Sequence, residues 1–230
     1  MRFVSALFLS AAMGAALLMS MAGVSKAGGA DVFKSKGCAA CHYTDGPAKE
    51  KTIADQLAKK GPELWYAGSK FRPEWLGAWL ADPKPIRPYK YNSLTEKNAG
   101  GHPKLSGGDA GQVKDFLMGL TVKGVAAAPP MKDIKKIKGK KIKGKLTFTK
   151  KQPCSGCHLY PARKKVTGGF TGPSLVNAVA RLNPNWIQAY MENSKAFKPV
   201  KDMPNFAGIL SKADIRNVTK FIMSFKPKAK

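Results

Sequence analysis

Acid is scarce in this chain: 14 Asp and Glu stand against 40 Lys and Arg in 230 residues. The resulting net charge of +26 at pH 7 implies partners of negative charge, such as an acidic protein, an anionic lipid surface or a polyanion. Histidine is scarcer still, with three in all. No Ser, His and Asp group together, so nucleophilic hydrolysis has no residues to draw on, and any acid–base pair would have to come from scattered carboxylates. The 4 cysteines fall in two pairs, Cys38/Cys41 and Cys154/Cys157, which leaves none for a disulfide scaffold. Alternating apolar and polar runs of strand length are missing too, and the patterning reads as short helices joined by long loops.

The long apolar run lies at the start. It follows Arg2, extends from Phe3 to about Val24 with Ser5, Ser10, Gly14 and Ser20 inside it, and ends in Ser25-Lys26-Ala27, small residues of the kind a signal peptidase cuts behind. Residues 1–27 are therefore expected to be a secretion signal that directs the chain to the periplasm. A retained membrane anchor is the alternative, because the run is almost long enough to span a bilayer. The leader holds Arg2 and Lys26 and no acid, so its removal lowers the charge by two, to +24. What remains makes one ordinary domain or two small ones, and small ones bury too little surface without a staple.

Both cysteine pairs end in histidine: Cys38-Ala39-Ala40-Cys41-His42 and Cys154-Ser155-Gly156-Cys157-His158. Cys-x-x-Cys-His is the haem c attachment motif, in which two thiols form thioethers with the vinyl groups and the histidine is held to bind iron. A zinc or thiol-redox site is the competing reading of such a pair.

Aligning the two motifs brings later residues into order. Gly61-Pro62 answers Gly172-Pro173, and Pro73-Glu74-Trp75 answers Pro184-Asn185-Trp186 at the same offset. His102-Pro103 answers Met203-Pro204, and Ser106 with Asp109 answers Ser211 with Asp214, each a capping-box-like start to an apolar-periodic helix. Val113, Phe116, Leu117 and Leu120 form one stripe; Ile215, Val218, Ile222 and Phe225 form the other. Helices are also expected from Pro73 and Pro184, where proline suits the first turn.

Between the halves, residues 122–151 contain Pro129-Pro130 and then 10 lysines in the twenty residues 132–151. Self-repulsion predicts an extended, solvated linker. The alternative is a short arm docked on one domain through Ile134, Ile137, Ile142 and Leu146.

On these motifs the chain resembles the class I cytochrome c domain in tandem, as in two-haem periplasmic cytochromes c. The resemblance implies an all-α fold of two helical domains, 28–121 and 152–230, each wrapped around one covalent haem c. The loop Thr171-Gly172-Pro173-Ser174-Leu175 is similar to the family's loop whose proline carbonyl accepts a hydrogen bond from the proximal histidine. That implies Pro173 for His158 and Pro62 for His42. Lys201-Asp202-Met203-Pro204-Asn205-Phe206 resembles the distal loop, which implies Met203 as the other ligand of the second iron. His102 takes that position in the first half and implies bis-histidine ligation. Met118 and Met131 are the competing first-half ligands, and an open iron site is the third alternative. Met191 and Met223 lie on helical stripes and read as core; the four tryptophans read as haem-pocket packing.

A second imidazole favours ferric iron and a thioether favours ferrous. The expectation is an electron carrier, not an enzyme, taking electrons at the first haem from a lower-potential donor and releasing them from the second. The expected partner is an acidic redox protein such as a terminal oxidase or a quinol-oxidising complex. Two alternatives stand beside it: a haem subunit of a membrane respiratory complex, and an oxidoreductase with an open first haem. Export and covalent haem weigh against nucleic acid as the partner of the lysines.

Overall fold

The computed structural model describes residues 26–163, 165–200 and 203–225. Of the expected leader only residues 26 and 27 are described, as the start of the first helix, so its cleavage or retention lies outside the described residues. In chain order the first half places α1 at Lys26–Ser35, α2 at Ile53–Ala58, α3 at Ala67–Lys70, α4 at Pro73–Ala81 and α5 at Gly107–Met118. The second half places α6 at Lys141–Leu146, α7 at Cys154–Cys157, strands β1 at Tyr160–Ala162 and β2 at Lys165–Thr167, α8 at Ala178–Arg181, α9 at Pro184–Glu192, α10 at Ser194–Phe197 and α11 at Lys212–Ile222. Among the described residues no helix is long and apolar enough to cross a membrane.

The sequence signals for helix starts are met. Pro73 and Pro184 open α4 and α9. Ser106 Oγ accepts from the Asp109 amide (3.2 Å) and donates to its carboxylate (2.7 Å), and Ser211 does the same with Asp214 (3.1 and 2.8 Å). Each cap satisfies an amide that the first helical turn leaves without a partner.

Both halves are closed by a crossing built on glycine. A Cβ on Gly29 would overlap the Gln112 carbonyl, and one on Gly144 would overlap the Asn217 carbonyl. The bare backbone thus lets α1 lie directly on α5, and α6 on α11. One turn further, Phe33 meets Phe116 and Phe148 meets Phe221, both at 5.5 Å between ring centres. This crossing corrects the expected linker: α6 and the π-helical turn Thr147–Lys151 fold onto α11, so the second unit begins at about 141 and not at 152. Lysines hid it, because only Gly144, Thr147 and Phe148 of that stretch face inward. Residues 131–140 are docked as well, their apolar contacts made by Ile134 and Ile137, whereas Ile142 and Leu146 point outward, 84% and 50% exposed. A second difference is the hairpin β1–β2, whose three-residue strands are too short to leave a periodicity.

The halves meet at matched residues. Phe71 pairs antiparallel with Leu182, the Arg72 amide donates to the Arg181 carbonyl (3.0 Å), and the Asn183 amide donates to the Lys70 carbonyl (2.8 Å). Residues 70–72 and 181–183 stand at the same offset as Pro73 and Pro184, so the seam is self-complementary about a local two-fold. Fully buried Asn183 stitches it further, donating to the carbonyls of Ser69 (2.8 Å) and Ala126 (2.7 Å).

Gly144→Ala is expected to lower the stability of the haem-loaded protein by about 1–3 kcal/mol, since neither crossing helix can yield without unseating its aromatic layer. Gly111→Ala, on α5 with nothing within 4 Å of the added carbon, is expected to raise it by up to ~1 kcal/mol. Calorimetric melting of the two variants checks the contrast.

Candidate functional site

Each Cys-x-x-Cys-His segment is a single helical turn. The His42 amide donates to the Cys38 carbonyl and the His158 amide to the Cys154 carbonyl, both at 3.0 Å, which gathers two sulfurs and an imidazole on one short stretch. Burial pushes the Cys38 thiol up, and pushes that of Cys154 up to about 11. Thiol-redox motifs need the opposite, a lowered pKa and a standing thiolate, so the environment speaks against that reading.

The imidazoles are fixed from behind. His42 Nδ1 donates to the Pro62 carbonyl at 2.6 Å, and His158 Nδ1 to the Pro173 carbonyl at 2.8 Å. A carbonyl only accepts, so Nδ1 carries the proton in both rings and Nε2 keeps the lone pair that a metal requires. Burial lowers both histidine pKa values, with the proline carbonyls opposing in part, and neutral imidazole is the ligating form. Glycine permits the arrangement: a Cβ on Gly61 or Gly172 would stand 2.7 or 2.6 Å from the ring's Cε1. The loops are pinned alike, the Leu64 amide to the Tyr43 carbonyl (2.9 Å) and the Leu175 amide to the Leu159 carbonyl (2.8 Å).

On the far side, His102 faces His42 with 6.1 Å between ring centres. Two metal–nitrogen bonds of about 2 Å, each with a ring centre ~1 Å beyond, set imidazole centres about 6 Å apart across one ion. Trp79 packs against His102 at 4.6 Å, and the Leu105 amide ties the loop to the Leu80 carbonyl at 3.0 Å. Of the competing methionines, Met118 ends α5 half-buried and Met131 is exposed in the lysine-rich segment. In the second half Met203 is half-buried against the core, its carbonyl accepting from Ser194 Oγ at 2.6 Å. Phe206 then ties to the Met191 carbonyl at 2.8 Å, matching Leu105 and Leu80. Lys201 and Asp202 of that loop lie outside the described residues.

Unmatched buried donors complete the picture. Among the described residues, Trp65 Nε1, Trp186 Nε1 and two nitrogens of Arg72 are buried without a hydrogen-bond partner. Lys70, Arg72, Arg87 and Arg181 gather about the seam, and none has an ion-pair partner among the described residues. Burial lowers the pKa of Arg181 to about 10 and that of Lys70 well below its usual value. Buried cations are expected to be paired. Haem brings carboxylates of its own, its propionates, which are the chemistry these cations lack. Thiols on one turn, an imidazole with Nε2 free and unpaired cations together fit haem c.

The sequence did not announce Glu63. Its side chain is fully buried, held by Lys59 of its own half, Lys198 of the other half and the Tyr66 hydroxyl (2.6 Å). Burial alone would raise its pKa, but Lys198, Lys59 and Tyr66 more than offset that and hold it at about 2. One signal was available: Glu63 follows Gly61-Pro62 where the matched position has Ser174.

Comparison with known proteins places a family on the second half. The Cytochrome c family model matches residues 141–226, starting where α6 starts. Cytochrome c oxidase subunit 2 of Bacillus subtilis (strain 168) is 34% identical over 96 residues, covering 40% of this chain. The chain spans only 25% of that relative's length. No solved structure matches the chain. Residues 141–226 are thus a cytochrome c domain, which implies covalent haem c and electron transfer.

Because the Glu63 carboxyl is held below its ordinary 4.5, its ion pairs stabilise the fold above that pH and fade as pH falls toward 2. Glu63→Gln is expected to cost about 3–5 kcal/mol near neutral pH by leaving buried ammonium groups unpaired. It is also expected to flatten the acid dependence between those limits. Melting curves of the haem-loaded protein as a function of pH check both.

Proposed function

We propose that the chain is an exported two-haem cytochrome c that carries electrons. Cys38 and Cys41 hold the first haem, with His42 and His102 on its iron; Cys154 and Cys157 hold the second, with His158 and Met203. The observation that carries this reading is the placing of His102 opposite His42 at 6.1 Å, while His42 Nδ1 is already committed to Pro62. The matched Gly-Pro loops, the matched crossings on Gly29 and Gly144 and the self-complementary seam support two tandem domains of one kind.

Haem c supplies a one-electron iron couple when bound. The chain's residues set its direction: the second imidazole of His102 favours ferric iron and the thioether of Met203 ferrous. Electrons then enter at the first half from a lower-potential donor and leave from the second. Pro62 and Pro173 hold the proximal rings in one orientation through both states, which keeps reorganisation small. The residue charge favours an acidic redox partner, whose encounter is fastest at low salt. The periplasm is the compartment that the leader and the attachment chemistry support.

A second reading has one observation in its favour: a protein similar to part of this chain is a subunit of an oxidase, so this chain too would serve as a fixed haem subunit of a membrane complex.

Potentiometric titration tests the assignment. Two one-electron steps are expected, and His102→Met is expected to move only the lower step upward, by on the order of 0.1 V of the ~0.8 V that axial ligation spans. A titration in which that substitution leaves both steps in place contradicts it.

A further inference from the structure

The lysine-rich segment is built as a surface. All 10 lysines between 132 and 151 are exposed, and the single acid among them, Asp133, pairs with Lys136 at 2.6 Å. The backbone beneath is anchored at several points. Ile134 and Ile137 pack on the core, Lys220 Nζ donates to the carbonyls of Lys135 and Ile137 (2.9 Å for the latter), and the Lys140 amide donates to Asn217 Oδ1 at 2.7 Å. Ordering this many like charges opposes both chain entropy and their mutual repulsion, and a mere spacer would need none of these anchors.

The face so displayed has an apolar centre. Ile142 and Leu146, one helical turn apart on α6, are 84% and 50% exposed, and Met131 is exposed at the segment's start. The same segment borders a cleft of about 270 Å³, lined by Ile134, Lys135, Lys220, Met223 and Ser224. We propose that residues 131–151 with Lys220 form a docking surface for an anionic phospholipid membrane, the lysines meeting headgroup phosphates while Ile142 and Leu146 enter the boundary of the acyl chains. Dense positive charge around exposed aliphatic side chains is the chemistry of an interfacial segment. A purely electrostatic contact with an acidic protein face would use the lysines and leave the two aliphatics in water, whereas a lipid boundary takes both. Attachment of this kind is reversible and weakens with salt. It does not depend on how the irons are ligated.

Vesicle co-sedimentation of the haem-loaded protein tests the proposal, with all variants carried in the same leader state and read by haem absorbance. The protein is expected to pellet with vesicles containing phosphatidylglycerol at low salt, to be released at high salt, and to stay in solution with pure phosphatidylcholine. Replacing Lys140, Lys141, Lys143 and Lys145 by Gln is expected to lower the bound fraction roughly tenfold or more. Ile142→Ser with Leu146→Ser, which leaves the charge unchanged, is expected to lower it several-fold. Unchanged binding in the lysine variant would overturn the proposal. So would retention on immobilised polyglutamate without vesicle binding, which would assign the face to an acidic protein.

Discussion

The hydrogen bond from a histidine Nδ1 to a proline carbonyl, made once in each half, is the constraint around which the structure is arranged. It fixes the tautomer, and with it which nitrogen is free for iron. It also dictates the loop: the carbonyl reaches the ring only if the preceding residue has no side chain, hence Gly61 and Gly172. The loop is tied back in turn by the Leu64 and Leu175 amides, which donate to the Tyr43 and Leu159 carbonyls, and α3 and α8 follow at once.

The seam between the halves follows from the same repetition. A β-bridge between matched residues is satisfied twice for one set of instructions, and it draws Lys70, Arg72 and Arg181 into a place where water is scarce. Cations there need anions. Glu63 answers part of the need by pairing across the seam with Lys198, while Lys70, Arg72 and Arg181 have no ion-pair partner among the described residues. The two halves are therefore tied by charge as much as by apolar contact.

Much of this was legible beforehand. The attachment turns, the Gly-Pro loops, the serine caps and the proline-initiated helices are all local signals, in which a residue's conformational preference decides its neighbourhood, and each was found where expected. That the His102 ring stands opposite the His42 ring was legible only through the internal repeat, because nothing local links residues so far apart. What stayed hidden depended on three-dimensional neighbours. Residues 141–151 read as solvated since their five lysines outweigh the glycine and phenylalanine that seat the helix. The seam and the Glu63 pairs involve polar residues whose burial no periodicity encodes.

The central claim, that the first iron is held by two imidazoles and the second by imidazole and thioether, is tested most directly by low-temperature electron paramagnetic resonance of the fully oxidised protein. Two distinct low-spin ferric signals are predicted, of which His102→Ala alters one and leaves the other untouched. A high-spin ferric signal from the unmodified protein, or a pair of signals indifferent to His102, would contradict it.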